Sequence, residues 1–154
     1  MSITLYPFQQ EAVEAIQKEF AEGKKRTLLE LPTGCGKTIT FAEWLRQQIE
    51  KGGRGLILAH RDELLTQAAQ KLKSTTGLDS ALEKADSSAY LSDAPVTVAS
   101  VQSLCRPERL KKYPAGYYTD IVVDEAHHSL SNSYRDIIDH FYTSRILGVT
   151  ATPD

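Results

Sequence analysis

The chain has 154 residues, 41% apolar and 25% charged, the composition of one ordinary globular domain, which argues against a disordered chain. Eighteen Lys and Arg against 20 Asp and Glu give a formal charge of −2, which excludes a histone-like polycation but leaves room for nucleic-acid contact through a local face. Cys35 and Cys105 stand far apart in no CxxC or Cys/His pattern, so neither a zinc site nor a disulfide framework is expected, and a reducing compartment fits.

The start lacks a basic region followed by an apolar one, and no apolar run approaches the roughly 18 residues of a membrane span. The expectation is a soluble, cytoplasmic chain with no membrane partner.

Phe8, Ala12, Ile16 and Phe20 recur every four residues, one stripe of an amphipathic helix over Pro7 to Glu22, with Gly23 as its stop. Arg26 to Leu31 reads as a buried strand running into the glycine-rich turn Pro32-Thr-Gly-Cys-Gly36. Helical spacing resumes over Lys37 to Lys51 and ends at Gly52-Gly53. Gly55 to Ala59 is a strand and Asp62 to Ser74 a helix. Gly77 to Pro95 reads as a surface connection with at most a short helix. Val96 to Ser100 and Ile121 to Asp124 are strands, Asn132 to Tyr142 is a helix, and Arg145 to Val149 is the last strand. Strands alternating with helices predict an α/β fold with a doubly wound, mostly parallel sheet. The strand after Ser144 is expected beside the one that carries the glycine-rich turn.

Leu31-Pro-Thr-Gly-Cys-Gly-Lys-Thr38 lies between a strand and a helix, where small residues let backbone N–H groups form a nest for phosphate. The positive end of the following helix points at the same spot. Pro32, Thr33, Gly34, Cys35 and Gly36 would cradle the phosphates. Lys37 would reach the β- and γ-phosphates and the Thr38 hydroxyl would hold Mg²⁺. Leu31 replaces the first glycine of the usual pattern.

Asp124-Glu-Ala-His127 follows an apolar strand, so Asp124 sits at a strand's carboxyl end, where sheet ligands bind. Asp124 would hold the Mg²⁺, and Glu125 would deprotonate the attacking water. The structural alternative is a pair of acids capping the next helix.

These motifs, with Thr150-Ala-Thr-Pro153, resemble the first motor domain of superfamily 2 helicases, nearest the restriction-enzyme motor subunits and XPB-like helicases. The resemblance covers nearly the whole chain in the family's order, and that superfamily commonly lacks the first glycine. It implies a RecA-like P-loop NTPase domain that binds and hydrolyses ATP with Mg²⁺, as part of an ATP-dependent helicase or translocase.

By the same resemblance, Gln9 within Leu5-Tyr-Pro-Phe-Gln9 would read the adenine edge; the alternative is a solvated helix glutamine. Arg61, Ser100 and Gln102 would contact a nucleic-acid backbone, with a surface salt bridge as the alternative for Arg61 and helix capping for Ser100. Thr150 and Thr152 would couple hydrolysis to movement, plausibly through His127. His128 reads as a surface residue, Trp44 as packing and Arg145 as structural.

DNA is the preferred track on family likeness, with RNA open. Residues 1–154 read as one motor domain whose partners would be nucleic acid and a second motor domain, absent here, that carries an arginine finger. A different class of function, a nucleotide-gated switch that hydrolyses poorly, is disfavoured by intact Lys37, Thr38, Asp124 and Glu125.

Overall fold

A computed structural model describes residues 5–32, 36–59, 64–84, 88–124 and 131–152, with the backbone alone at 151–152. Chain order gives α1 (Pro7–Ala21), β1 (Arg26–Pro32), α2 (Lys37–Glu50), β2 (Gly55–Ala59), α3 (Leu65–Thr76) and β3 (Ser80–Glu83). Then follow β4 (Val96–Ser100), α4 (Val101–Leu104), α5 (Pro107–Leu110), β5 (Asp120–Asp124), α6 (Asn132–His140) and β6 (Arg145–Thr152). The six strands form one sheet in the order β1-β6-β5-β2-β4-β3, and every pairing is parallel. As expected, β6 lies beside β1.

Side chains alternate across each strand, so the sheet feeds two cores. Leu29, Leu31, Ile57, Val98, Val122, Leu147 and Val149 pack with residues of α1, α2 and α3. Leu56, Leu58, Ala99, Ile121, Val123 and Ile146 pack with residues of α4, α5 and α6 on the other face. The runs of β2 and β4 are wholly buried, as parallel strands covered on both faces must be. β1, at the sheet edge, buries only Leu29 and Leu31 and leaves Leu28 exposed on its other face. Trp44 is fully buried in the first core and stacks on Phe20, so it packs as expected.

One expectation is corrected. The connection from Gly77 to Pro95 contains β3, an edge strand paired in register with β4. Its four residues lack an apolar alternation because the one that is fully buried is the carboxylate of Glu83. The segment after Ser100 folds into α4 and α5, each too short for helical periodicity to show.

Arg145 is structural. Its guanidinium makes two bonds to the buried Asp120, Nε to Oδ1 at 2.7 Å and Nη2 to Oδ2 at 3.2 Å, and Gln48 Nε2 adds a third at 3.2 Å. The Asp120 hydrogen bonds hold the Arg145 pKa above its usual value. This knot lies at the amino ends of β5 and β6, so the opposite edge carries the motifs.

Candidate active site

In an all-parallel sheet every strand ends at the same edge. β1 ends at Pro32, β5 at Asp124, and β6 runs between them, with Leu29 and Asp124 both registered against Val149. The strand pairing therefore brings the end of the glycine-rich turn and the acidic motif to opposite sides of one strand. Lys37 Nζ lies 3.1 Å from Asp124 Oδ1, both side chains largely shielded from solvent at 18% and 28% exposure. A lysine and an aspartate separated by 87 positions are thus an ion pair at the carboxyl edge.

Gly36 is the N-cap of α2 with φ 75° and ψ 42°, the left-handed region where only glycine rests without strain. Its carbonyl accepts from both the backbone N–H and the Oγ1 hydroxyl of Thr40, each at 3.0 Å. The absent Cβ matters twice over, because an added one would stand 2.2 Å from Gln9 Nε2. Lys37 and Thr38, half-buried, open the first turn of α2, whose N–H groups have no intrahelical acceptors.

Gln9 is only 3% exposed, which excludes the solvated-helix alternative. Its Oε1 accepts from the Tyr6 backbone N–H at 3.0 Å, tying off the start of α1. Beside it, Tyr6 and Phe8 are exposed, at 68% and 44%, with rings stacked 6.0 Å apart and 5° from parallel. The four-residue stripe of α1 predicts Phe8 in the core, but in the first turn of the helix it is exposed instead.

Thr150 is half-buried on β6, one residue past the level of Asp124. Thr152 is registered against Pro32, so the coupling motif forms the end of the strand rather than a loop after it. Ser100 is a cap: it is fully buried and its Oγ accepts from the Ser103 N–H at 3.2 Å. This is the capping role given above as its alternative. Gln102, in the following turn, is exposed at the same edge. Thr33, Gly34, Cys35, Arg61, Glu125 and His127 lie outside the described residues.

The donor set at this edge suits a polyphosphate with a hard divalent cation. A lysine ammonium, a hydroxyl and helix-start N–H groups suit a phosphate, and a carboxylate beside them is an oxygen ligand of the kind Mg²⁺ takes. Among the described residues no cluster of three metal-ligating side chains occurs.

The family model described as the type III restriction enzyme, res subunit, matches residues 2–154. The chain belongs to that family. Its res-subunit domain is 40% identical over 162 residues to the putative ATP-dependent helicase IRC3 of Saccharomyces cerevisiae, covering 96% of this chain and 23% of the relative. It is 30% identical to the DNA 3'-5' translocase XPB2 of Sulfurisphaera tokodaii, covering 99% of this chain and 31% of that protein. The chain thus spans less than a third of the length of these curated relatives.

Among solved structures, the SWI2/SNF2 ATPase core of Sulfolobus solfataricus in complex with dsDNA superposes with a TM-score of 0.82 at 20% identity, over 99% of this chain and 33% of that one. The UvsW helicase of bacteriophage T4 gives 0.73 at 23% identity, over 97% and 52%. The res-subunit domain therefore has the RecA-like fold of helicase motor cores.

Proposed function

We propose that this domain binds ATP and Mg²⁺ at the carboxyl edge of β1, β6 and β5 and acts as the first motor of an ATP-dependent nucleic-acid helicase or translocase. The observation that carries the reading is the Lys37–Asp124 pair, because it joins the phosphate-binding lysine to the metal-binding carboxylate in one site. Pro32, Thr33, Gly34, Cys35 and Gly36 would line the triphosphate. Lys37 would neutralise its β- and γ-oxygens, and Thr38 and Asp124 would hold Mg²⁺, which supplies charge neutralisation on the phosphoryl oxygens. Glu125 would take the proton of the attacking water. Thr150 and Thr152, with His127, would pass the change at the γ-phosphate along β6.

Entry of ATP has to part Lys37 from Asp124. The phosphates replace the carboxylate as the partner of the ammonium, and the cation replaces the ammonium as the partner of the carboxylate. Each charge exchanges one counter-charge for another, so neither is left bare in a half-buried site. Gln9, with the aromatic pair Tyr6 and Phe8, would receive the base.

Arg61 and Gln102 would lie on a nucleic-acid backbone, DNA being favoured by the relative named a DNA translocase and the fold neighbour solved with dsDNA. The relatives' greater length supports a second motor domain as the facing half of the site. No helix among the described residues is long and apolar enough to cross a membrane. The cytoplasmic reading rests on cysteine usage alone, since the Schizosaccharomyces pombe relative is named mitochondrial.

The test is DNA-stimulated phosphate release by the motor carrying both halves. Lys37→Ala should weaken nucleotide binding and lose turnover together, and Glu125→Gln should keep binding while losing turnover. A Lys37→Ala motor with undiminished turnover refutes the reading.

A further inference from the structure

The edge strand β1 is covered on one face only. On the side of α1, Leu29 and Leu31 are buried in the first core. The second core, beneath α4, α5 and α6, reaches Ile146 of β6 and includes no residue of β1. Arg26, Leu28 and Glu30 alternate onto that side and are exposed, Leu28 at 56%. A parallel sheet ordinarily has helices over both faces, and among the described residues no helix covers this strip beside α6.

A cleft of about 330 Å³ opens at the amino end of the strip. Ile138, Ile146 and the exposed ring of Tyr142 supply its apolar lining, and Lys25, Arg26 and Asp139 its charges. Strand register continues the apolar surface toward the carboxyl edge. Arg26 lies beside Ile146 and Leu28 beside Gly148, whose lack of a side chain leaves the sheet low next to Leu28. Lys25 and Arg26 are exposed and form no ion pair among the described residues, so the cleft sets two cations against one acid. It lies at the opposite end of β1 from Lys37, which leaves the nucleotide edge clear.

We propose that this strip docks an amphipathic helix of a partner protein. The helix lays its apolar stripe on Leu28, Ile138, Tyr142 and Ile146, and its carboxylates meet Lys25 and Arg26. A helix is about 10 Å across and strands lie about 4.8 Å apart, so one helix spans β1 and the uncovered side of β6. A strand added to the edge of β1 would extend the sheet and leave Ile138 and Tyr142 bare. A second copy is a poorer occupant, because among the described residues no helix of this chain presents more than one exposed large apolar side chain. The excess of positive charge selects a partner with acids beside its apolar stripe, and a basic helix is repelled.

The experiment pans a phage-displayed library of randomised helical peptides on the full chain, then measures binding of the enriched peptides, made synthetically, by fluorescence anisotropy. Enriched sequences should carry Leu, Ile or Phe at i, i+3 or i+4, and i+7, with Asp or Glu near one end. Leu28→Asp should weaken them about tenfold or more, the scale of losing an apolar anchor. Lys25→Glu with Arg26→Glu should do the same, and exchanging the peptides' acids for lysines should restore binding to that double. Leu91→Asp, at an exposed leucine in the connection before β4, should change nothing. No enrichment, or enriched peptides that bind Leu28→Asp as well as they bind the unaltered chain, would overturn the proposal. Peptides that need Leu28 but ignore Tyr142→Ala would point to strand addition at the edge of β1 and overturn it too. A dimer dissociated by Leu28→Asp would do so in favour of self-association. Every substituted residue is exposed, so the variants should keep the fold, which thermal unfolding checks.

Discussion

Lys37 and Asp124 face each other at 3.1 Å across the end of β6, one contributed by the helix after β1 and the other by β5. The pair means that nucleotide and cation affinity are linked. In Lys37→Ala the carboxylate would face the phosphates without its counter-charge, and ATP binding should weaken about 10- to 100-fold, the value of a lost charge-assisted hydrogen bond. In Asp124→Asn the ammonium is released to the phosphates, so Mg²⁺-free ATP should bind at least as well while the gain from added Mg²⁺ disappears. Titrations with a fluorescent ATP analogue, in Mg²⁺ and in chelator, check both.

Gln9→Ala should weaken ATP more than GTP. The amide is buried against Gly36 and its oxygen accepts from the Tyr6 N–H. Loss of a buried hydrogen bond costs about 1–3 kcal/mol, and the adenine edge is where the two nucleotides differ. Equal weakening of both would confine Gln9 to capping α1. Tyr6→Ala, which removes a flat exposed ring but no amide, should weaken both nucleotides alike.

Gly36→Ala should destabilise the domain and impair nucleotide binding together. A left-handed φ costs a residue with a Cβ about 1–2 kcal/mol, and here the added atom would also displace Gln9 from 2.2 Å. The double Gly36→Ala, Gln9→Ala should therefore cost less than the sum of the singles, because truncating Gln9 removes the atoms the added Cβ would meet. Thermal unfolding of the three variants decides this; strict additivity would mean that Gln9 does not meet the Gly36 position.

Glu83→Gln should lower stability by about 3 kcal/mol, the scale for breaking a buried ion pair. The same carboxylate and its burial hold the Tyr113 hydroxyl well above the usual phenol range. Burial is the larger cause, so Tyr113 should resist ionisation in alkali in Glu83→Gln as well, which ultraviolet titration of the tyrosines measures.

Most of the fold was legible because its strands are short apolar runs and its longer helices carry an apolar stripe. The site was legible because the motif residues are local in sequence and their strand ends are set by parallel topology. What escaped was non-local or inverted in pattern. β3 hides its carboxylate and so breaks the rule that charge marks the surface. Tyr6 and Phe8 look like core and face solvent. Ser100 has the chemistry for a phosphate contact, but the turn that follows takes its hydroxyl as a cap. The Lys37–Asp124 pair required the strand order, which places β6 between their elements.

The most direct test is steady-state phosphate release by the 154-residue chain with ATP and Mg²⁺, with and without single-stranded DNA. In the proposed site Lys37, Thr38, Asp124 and Glu125 would supply a phosphate cradle, a cation site and a base, and the arginine across the γ-phosphate would come from the facing motor domain. Such an arginine commonly contributes about 10³–10⁵ in rate. Turnover near background, unchanged by DNA, is the predicted result. Rapid, DNA-stimulated turnover by this chain alone would contradict the account, because the facing motor domain would then be dispensable.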